Sequence, residues 1–504
     1  MDLRGRLLCR PQHLAIAISL GCAAVILYAT RRDPVLSPDS ISYLSAAAHL
    51  RSGDGLTEFT GAPFTVFGPV FPLLLAVGGR NLFWARIVCA AAVAGCTWLM
   101  FIVLRRRVRP WAALIAALAF GLSEGVVHVG STVWSEMPYM LIALGAFAVL
   151  SIEPLTNRRA ALGGLLCALG FLTRYAGVGL IITGVVIVVA TGITRESTPR
   201  MVLRTVGIHL GVAAAVCAAW LSRNLIATGE AMGPRFSGGS RDSLYVLLRR
   251  ATTAVGVLIF GDQHSDSFAN WSGLVVLILL MLAAFVALAS RPTRVLDIGM
   301  TVFAITCVVL PVMARRVTAS DIEFRVLSPL LIPVVYFAAV TLDRIRVKSV
   351  GVAVCVALVC WSIFEGVAMA ERVPEIVLIG AGSRTQFSRE LFDLIDTLPA
   401  DANVLTNSPQ RVWWQSHREP TLFAFTRPRA GNSNYPLSPS DTLRYACLAH
   451  TYLAWFDGLA NAGDGPADRR PDLAAIIDLT LTNQVTGGAM YALSAHDPAQ
   501  CPRS

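Results

Sequence analysis

The sequence predicts a polytopic α-helical membrane protein carrying a small α/β domain at its C-terminal end. Three observations predict it. The 504 residues are 55% hydrophobic and only 15% charged, where a soluble chain averages about 25% charged residues. Runs of roughly 18 or more nearly uncharged residues recur through the first three quarters, and about 20 such residues cross the hydrocarbon as a helix. From about residue 370 the composition turns polar and rich in Pro, Asp and Asn. A membrane part over 1–370 and a water-facing α/β domain over 371–504 follow from that change.

Eleven spans are expected, at about 12–29, 82–104, 111–131, 137–152, 160–173, 176–193, 203–222, 272–290, 295–314, 326–342 and 349–369. The first follows Arg4, Arg6 and Arg10, and Ala29-Thr30-Arg31-Arg32 is a poor cleavage site, so this stretch reads as a retained anchor. Segment 64–78, broken by Pro69 and Pro72, reads as an interfacial or re-entrant piece.

Charge orients the chain. With the N-terminus in the cytoplasm, the inside connections carry Arg105-Arg106-Arg107 with Arg109, then Arg158-Arg159, then Arg195, Arg200 and Arg204. Arg291 with Arg294, and Arg344 with Arg346 and Lys348, complete the set, as the positive-inside rule requires. Arg31-Arg32 and Arg315-Arg316 fall on the other side. The formal charge of +10 is thus a matter of topology and implies no nucleic-acid partner. Lys348 is the only lysine in a chain rich in Ala, Gly and Val, which points to a GC-rich bacterial genome and a bacterial plasma membrane.

This orientation leaves three long extracytoplasmic segments, 30–81, 223–271 and 370–504. In the first, Ser37-Pro38 is a good helix start, with a capping residue followed by proline at the first helical position. Ile41, Leu44 and Ala48 then form one stripe, predicting an amphipathic helix near 38–51 on the membrane surface. The last segment alternates helix-like (388–398, 441–449, 472–479) and strand-like (402–406, 451–456, 489–493) stretches. Most of the eleven cysteines fall in spans as small apolar residues. Cys447 and Cys501 lie in the polar domain, either as a disulfide or as two thiols. No internal repeat, phosphate-binding glycine loop or metal-ligand cysteine or histidine cluster is present in the sequence.

Charged groups at the edges of spans are costly and commonly functional. Asp39 follows the first span; Glu124 and His128 end the third, and Glu136 opens the fourth. Arg174 separates the fifth and sixth, Arg223 ends the seventh, and Asp321, Glu323 and Arg325 precede the tenth. All fall on one face. The carboxylates Asp39 and Glu136 can supply a general base for an acceptor hydroxyl. Arg174, Arg223 and Arg325 can hold a phosphate by planar paired hydrogen bonds, with Tyr43, Tyr175 and Asn224 as candidate substrate contacts. No nucleotide sugar exists outside the cytoplasm, so a donor there is tethered to a lipid. Each residue also has a structural role open to it. Asp39 and Glu136 can be first-turn helix acids, the arginines can anchor at the interface, and Trp134, Trp220 and Tyr175 can form an aromatic belt. The Trp413-Trp414 pair can be domain core, a membrane contact or a sugar platform.

Over about 1–345 the chain resembles the GT-C membrane glycosyltransferases, and most closely the protein mannosyltransferase and lipid A aminoarabinose transferase group. The resemblance is carried by Pro38-Asp39-Ser40-Ile41-Ser42-Tyr43, Gly68-Pro69-Val70-Phe71-Pro72-Leu73-Leu74 and Ser135-Glu136-Met137-Pro138. Leu172-Thr173-Arg174-Tyr175-Ala176-Gly177, Trp220-Leu221-Ser222-Arg223-Asn224 and Arg325-Val326-Leu327-Ser328-Pro329 complete it, in order and on one side. It implies Asp39 as the catalytic or metal-assisting carboxylate, Glu136 as the second acid, and Arg174 and Arg325 on the donor phosphate. Ser40 stands where many relatives carry a second acid, so a paired-carboxylate site for a divalent cation lacks one member.

The expected function is inverting transfer of a sugar, of the mannose or pentose class, from a polyprenyl-phosphate donor to an extracytoplasmic glycan, lipid or protein of the cell envelope. A lipid or polysaccharide transporter is the first alternative, though it calls for polar groups near the midplane and repeat symmetry. A non-catalytic assembly partner that kept the fold is the second.

Overall fold

The structure is a computed structural model. It describes residues 3–233, 242–290, 294–317, 322–344, 348–379, 389–422, 439–457 and 476–501. Asp321, among the expected edge charges, lies outside the described residues.

The chain is a multi-pass membrane protein, with fewer full-length spans among the described residues than the eleven expected. Seven helices are long and apolar enough to cross a membrane: Pro11–Ala29, Leu82–Leu104, Tyr175–Thr194, Pro199–Thr228, Asp266–Ala289, Val295–Arg316 and Phe324–Asp343. The stretch expected at 111–131 is two helices, Pro110–Gly121 and Glu124–Ser131, bent by 50°, and makes an eighth if taken as one span. The chain leaves the helix at Leu122 and restarts after Ser123, where Glu124 brings a carboxylate into an apolar run. Glu136–Leu150 and Asn157–Thr173 are 15 and 17 residues long. At 1.5 Å per residue they reach about 22–26 Å, short of a hydrocarbon core of about 30 Å. The 17-residue helix Leu244–Phe260 lies in a segment expected to be a plain external connection, and it packs on Asp266–Ala289. The last long helix, Lys348–Ile379, runs beyond the domain boundary expected at 370.

The arginine-rich connections gather at one end of the bundle. Arg106 donates to the Ala148 carbonyl at 2.6 Å, Arg294 to the Arg106 carbonyl at 3.0 Å, and Arg109 pairs with Asp343 at 2.7 Å. At their centre the buried Asp297 accepts from Arg107 at 3.1 and 3.2 Å and from the Tyr336 hydroxyl at 2.6 Å. At the other end of Leu82–Leu104, Arg86 donates to the Leu27 carbonyl at 3.0 Å, where the first helix finishes and the chain turns towards Asp39.

The C-terminal domain holds one five-stranded sheet in the order β2-β1-β3-β5-β4, with strands at Asn403–Thr406 (β1), Thr421–Leu422 (β2), Thr451–Phe456 (β3), Ile477–Val485 (β4) and Gly488–Ala495 (β5). β1 runs parallel to β2 and β3, and β5 pairs antiparallel with β3 and β4. Helices Arg389–Thr397 and Pro409–Ser416 cover one face through Leu391, Phe392 and Val412. Helix Pro439–Ala446 covers the other through Ala446 against Leu453 and Trp455. The helix expected at 472–479 is corrected. Residues 472–475 lie outside the described residues, and from Ile477 the chain is strand, where Leu479 and Leu481 alternate with threonines at the two-residue period of a strand. Cys447 and Cys501 form a disulfide.

This domain docks on the loop that follows the first helix. Trp413 packs with Ile41 and Phe59, and Arg80 lies 4.2 Å from the Trp413 ring centre and 5.1 Å from that of Trp414. Arg80 also donates to the Trp414 carbonyl at 2.9 Å, and His49 Nε2 lies 3.6 Å from Glu419 Oε1.

Candidate active site

The expected surface helix forms as Pro38–Ser52. Ser37 caps it: the Ser40 amide donates to Ser37 Oγ at 3.2 Å and the Ser37 amide donates to Ser40 Oγ at 3.0 Å, a reciprocal capping box. Trp134 Nε1 donates to Ser37 Oγ at 2.7 Å and fixes the cap against the loop before Glu136. With the cap supplied by two serines, Asp39 is free to point elsewhere. Its Oδ2 meets Arg325 Nη1 at 2.5 Å. Ser40, which replaces the second acid of the resembled family, is the buried half of the box.

A second acid–guanidinium pair lies beside the first. Arg174 occupies the extended break between Asn157–Thr173 and the turn Tyr175–Gly177, and it forms an ion pair with Glu136 at the start of Glu136–Leu150. Arg174 also lies 3.5 Å from Ser135 Oγ, which hydrogen-bonds the Tyr43 hydroxyl at 3.1 Å. Tyr43 is buried among Phe67 and Phe71, with ring centres 4.9 and 5.1 Å away. Burial, then the charges of Asp39 and Glu136, push its phenol well above the ordinary range, so it acts as a neutral hydrogen-bonding bridge. Arg325 completes the link: its guanidinium feels Glu136 as well as Asp39, it gives its Nε to Glu323 at 2.7 Å, and it lies 5.1 Å from the Trp134 ring centre. Asp39, Glu136, Arg174 and Arg325 are therefore one cluster, with Tyr43 joined to its edge through Ser135.

Arg174 ends a small crevice lined by Tyr139, Phe303, Leu310, Pro311, Val326 and Pro329 among others, mostly apolar with Thr306 and Cys307 in its wall.

Three expected substrate residues stand apart from the cluster. Arg223 donates to the carbonyls of Phe64 at 2.7 Å and Leu56 at 3.1 Å and lies over Trp220 at 5.0 Å. Tyr175 donates to the Thr65 carbonyl at 2.8 Å and accepts from Trp220 Nε1 at 2.9 Å. Asn224 donates to the Tyr175 hydroxyl at 3.2 Å and to the Ala231 carbonyl at 3.1 Å. Together they bracket the loop 56–65. Elsewhere, His128 packs on Phe324 and Trp134 with ring centres 4.8 and 6.2 Å away, and Glu124 lies 3.6 Å from Arg372.

The bracketed loop carries an acid that the sequence reading passed over. Glu58 is buried, and neither carboxyl oxygen has a hydrogen-bond partner. Burial, reinforced by the negative charge of Asp39, pushes its carboxyl up to about 8. The available signal was an acid set between Leu56, Phe59 and Phe64, too short a pattern to separate from an ordinary loop. Among the described residues no three His, Cys, Asp or Glu side chains converge to hold a metal ion. Asp39 and Glu136 each face a guanidinium.

No family model matches the sequence, and no curated protein sequence matches it. Solved structures do. ArnT from Cupriavidus metallidurans bound to undecaprenyl phosphate is similar over 100% of both chains, at 12% identity and a TM-score of 0.62. The Archaeoglobus fulgidus oligosaccharyltransferase AglB, in complex with an inhibitory peptide and a dolichol-phosphate, is similar over 97% of this chain and 75% of its own, at 10% identity and a TM-score of 0.54. The chain has the GT-C fold. Mycobacterial arabinofuranosyltransferase AftD, a further GT-C structure, is similar over 97% of this chain and 42% of its own, at 16% identity and a TM-score of 0.53.

Proposed function

We propose that the protein is a membrane glycosyltransferase that moves a sugar from a polyprenyl phosphate to a cell-envelope acceptor on the extracytoplasmic face of a bacterial plasma membrane. The observation that carries this reading is the pair of guanidinium groups, Arg174 and Arg325, each facing a carboxylate beside an apolar crevice. A phosphate fits the planar donors of arginine, and the mostly apolar lining beside Arg174 suits a lipid-linked donor. Three neighbours of the same fold point the same way, since two are described with undecaprenyl phosphate or dolichol-phosphate and one is an arabinofuranosyltransferase.

In this reading the acceptor hydroxyl attacks the anomeric carbon from the face opposite the phosphate. The new C–O bond forms as the bond to the phosphate oxygen breaks, and the configuration inverts. Asp39 takes the hydroxyl proton, and the bond electrons leave with the polyprenyl phosphate, whose charge Arg325 and Arg174 stabilise. The sugar is of the mannose or pentose class, and the acceptor a glycan, lipid or protein. The Cys447–Cys501 disulfide supports an oxidising compartment for the outer domain, with the N-terminus in the cytoplasm.

The test is transfer of radiolabelled sugar from polyprenyl-phosphate donors in membranes containing the full chain. Asp39→Ala is expected to abolish transfer at unchanged abundance. Full activity in that variant refutes the assignment.

A further inference from the structure

The two acid–guanidinium pairs are not equivalent. Glu136 is 1% exposed, so separating it from Arg174 leaves a buried carboxylate without its counter-charge. Asp39 and Arg325 are 20% and 23% exposed, within reach of an incoming ligand. Arg325 also keeps a second carboxylate, Glu323 at 2.7 Å, when it lets go of Asp39. Its chain neighbours Val326 and Pro329 line the crevice that ends at Arg174.

We infer that the Asp39–Arg325 pair is a latch: the phosphate of a lipid-linked donor takes Arg325, and only then is Asp39 released to act as a base. The inference rests on the donor reading above and adds an order of events to it. With Arg325 on its Oδ2, that oxygen of Asp39 is not available to take a proton from water or an acceptor. The step exchanges one ion pair for another, and no proton moves until the acceptor arrives. Donor binding therefore precedes acceptor activation, and wasteful hydrolysis of the donor is suppressed.

The latch makes a prediction opposite to that of a structural ion pair. Removing the Asp39 charge removes the competitor for Arg325, so the phosphate lipid binds more tightly. The probe is undecaprenyl phosphate, titrated against the full-length protein in nanodiscs with binding read by native mass spectrometry. Asp39→Asn is expected to lower Kd by about 10-fold, the scale of one charge-assisted hydrogen bond no longer lost on binding. Arg325→Gln is expected to raise it by at least that much, and Asp401→Asn, on the exposed surface of the outer domain, to leave it unchanged. Asp39→Ser serves as a second carboxylate-free variant should Asp39→Asn not fold. Equal or weaker binding in the folded Asp39 variants, with wild type binding normally, overturns the latch alone. Absence of binding in wild type and variants alike overturns the donor reading and the latch with it.

Discussion

Arg325 and Asp39 meet at 2.5 Å although 286 residues separate them in the sequence. The contact closes the bundle: it joins the helix after the first span to the start of a late one, and it sets the acid of the loop after the first span against a cation with two carboxylate partners. Predictions about the site begin from this pair.

Arg325→Ala is expected to reduce kcat/KM for a polyprenyl-phosphate donor by about 100-fold or more, a loss of roughly 3 kcal/mol in transition-state stabilisation. Arg325→Lys should recover only part, because an ammonium cannot reproduce the planar fork that reaches Asp39 and Glu323 together. Donor-dependence curves for the two variants check this; equal activity in lysine and arginine forms contradicts it.

Glu136 and Arg174 form the buried pair, so removing one partner should cost more stability than removing both. Glu136→Gln or Arg174→Leu alone is expected to lower stability by about 3–5 kcal/mol. The double variant should lose clearly less than the sum. Thermal denaturation of detergent-solubilised protein gives the double-mutant cycle.

Glu58 makes a pH prediction whose sign is fixed by the direction of its shift. Its carboxyl lies at about 8 in the fold, against an ordinary value of 4.5. Between those values the folded chain holds a proton that the unfolded chain has lost. The contribution is therefore complete below about pH 4.5 and is lost as pH rises through about 8. Tm should fall across this window, and Glu58→Gln, neutral at every pH, should flatten the fall. Superimposable wild-type and variant profiles would assign the pH dependence elsewhere.

Gly68 has no room for a side chain: a Cβ there would lie 1.8 Å from the Leu172 carbonyl oxygen and 2.3 Å from its carbon. Leu172 stands two residues before Arg174, so Gly68→Ala should displace the backbone that aims this guanidinium. Loss of transfer together with a lowered Tm is expected, and a variant with wild-type values for both contradicts the close approach.

Opening the Cys447–Cys501 bridge, which spans 54 residues, should destabilise the C-terminal domain by about 2–4 kcal/mol. Cys447→Ser, with protease sensitivity of the domain as the readout, checks this.

Much of the candidate site was legible because the membrane part is so apolar. An acid or arginine at a span edge there stands out, and Asp39, Glu136, Arg174 and Arg325 did converge. Their partners were not legible. Arg223 carries the same residue type at the same kind of edge, yet it faces the carbonyls of Phe64 and Leu56, 159 and 167 residues away. A span edge predicts that a guanidinium needs an acceptor but not which one lies opposite. Glu58 escaped notice because a loop acid is unremarkable until burial is known. In the fold, long apolar helices were read well. Leu244–Phe260 was missed because Arg249-Arg250 and Thr252-Thr253 interrupt its hydropathy. The strand from Ile477 was taken for a helix because leucines spaced two apart in so short a run do not settle the period by themselves.

The grip of Arg80 on Trp413 and Trp414 has a mechanical meaning. The same loop that carries Asp39 is where the C-terminal domain rests on the bundle, through Arg80 against Trp413 and Trp414. A macromolecule or binder held on that domain would therefore press on the Pro38–Ser52 helix through the packing of Trp413 on Ile41.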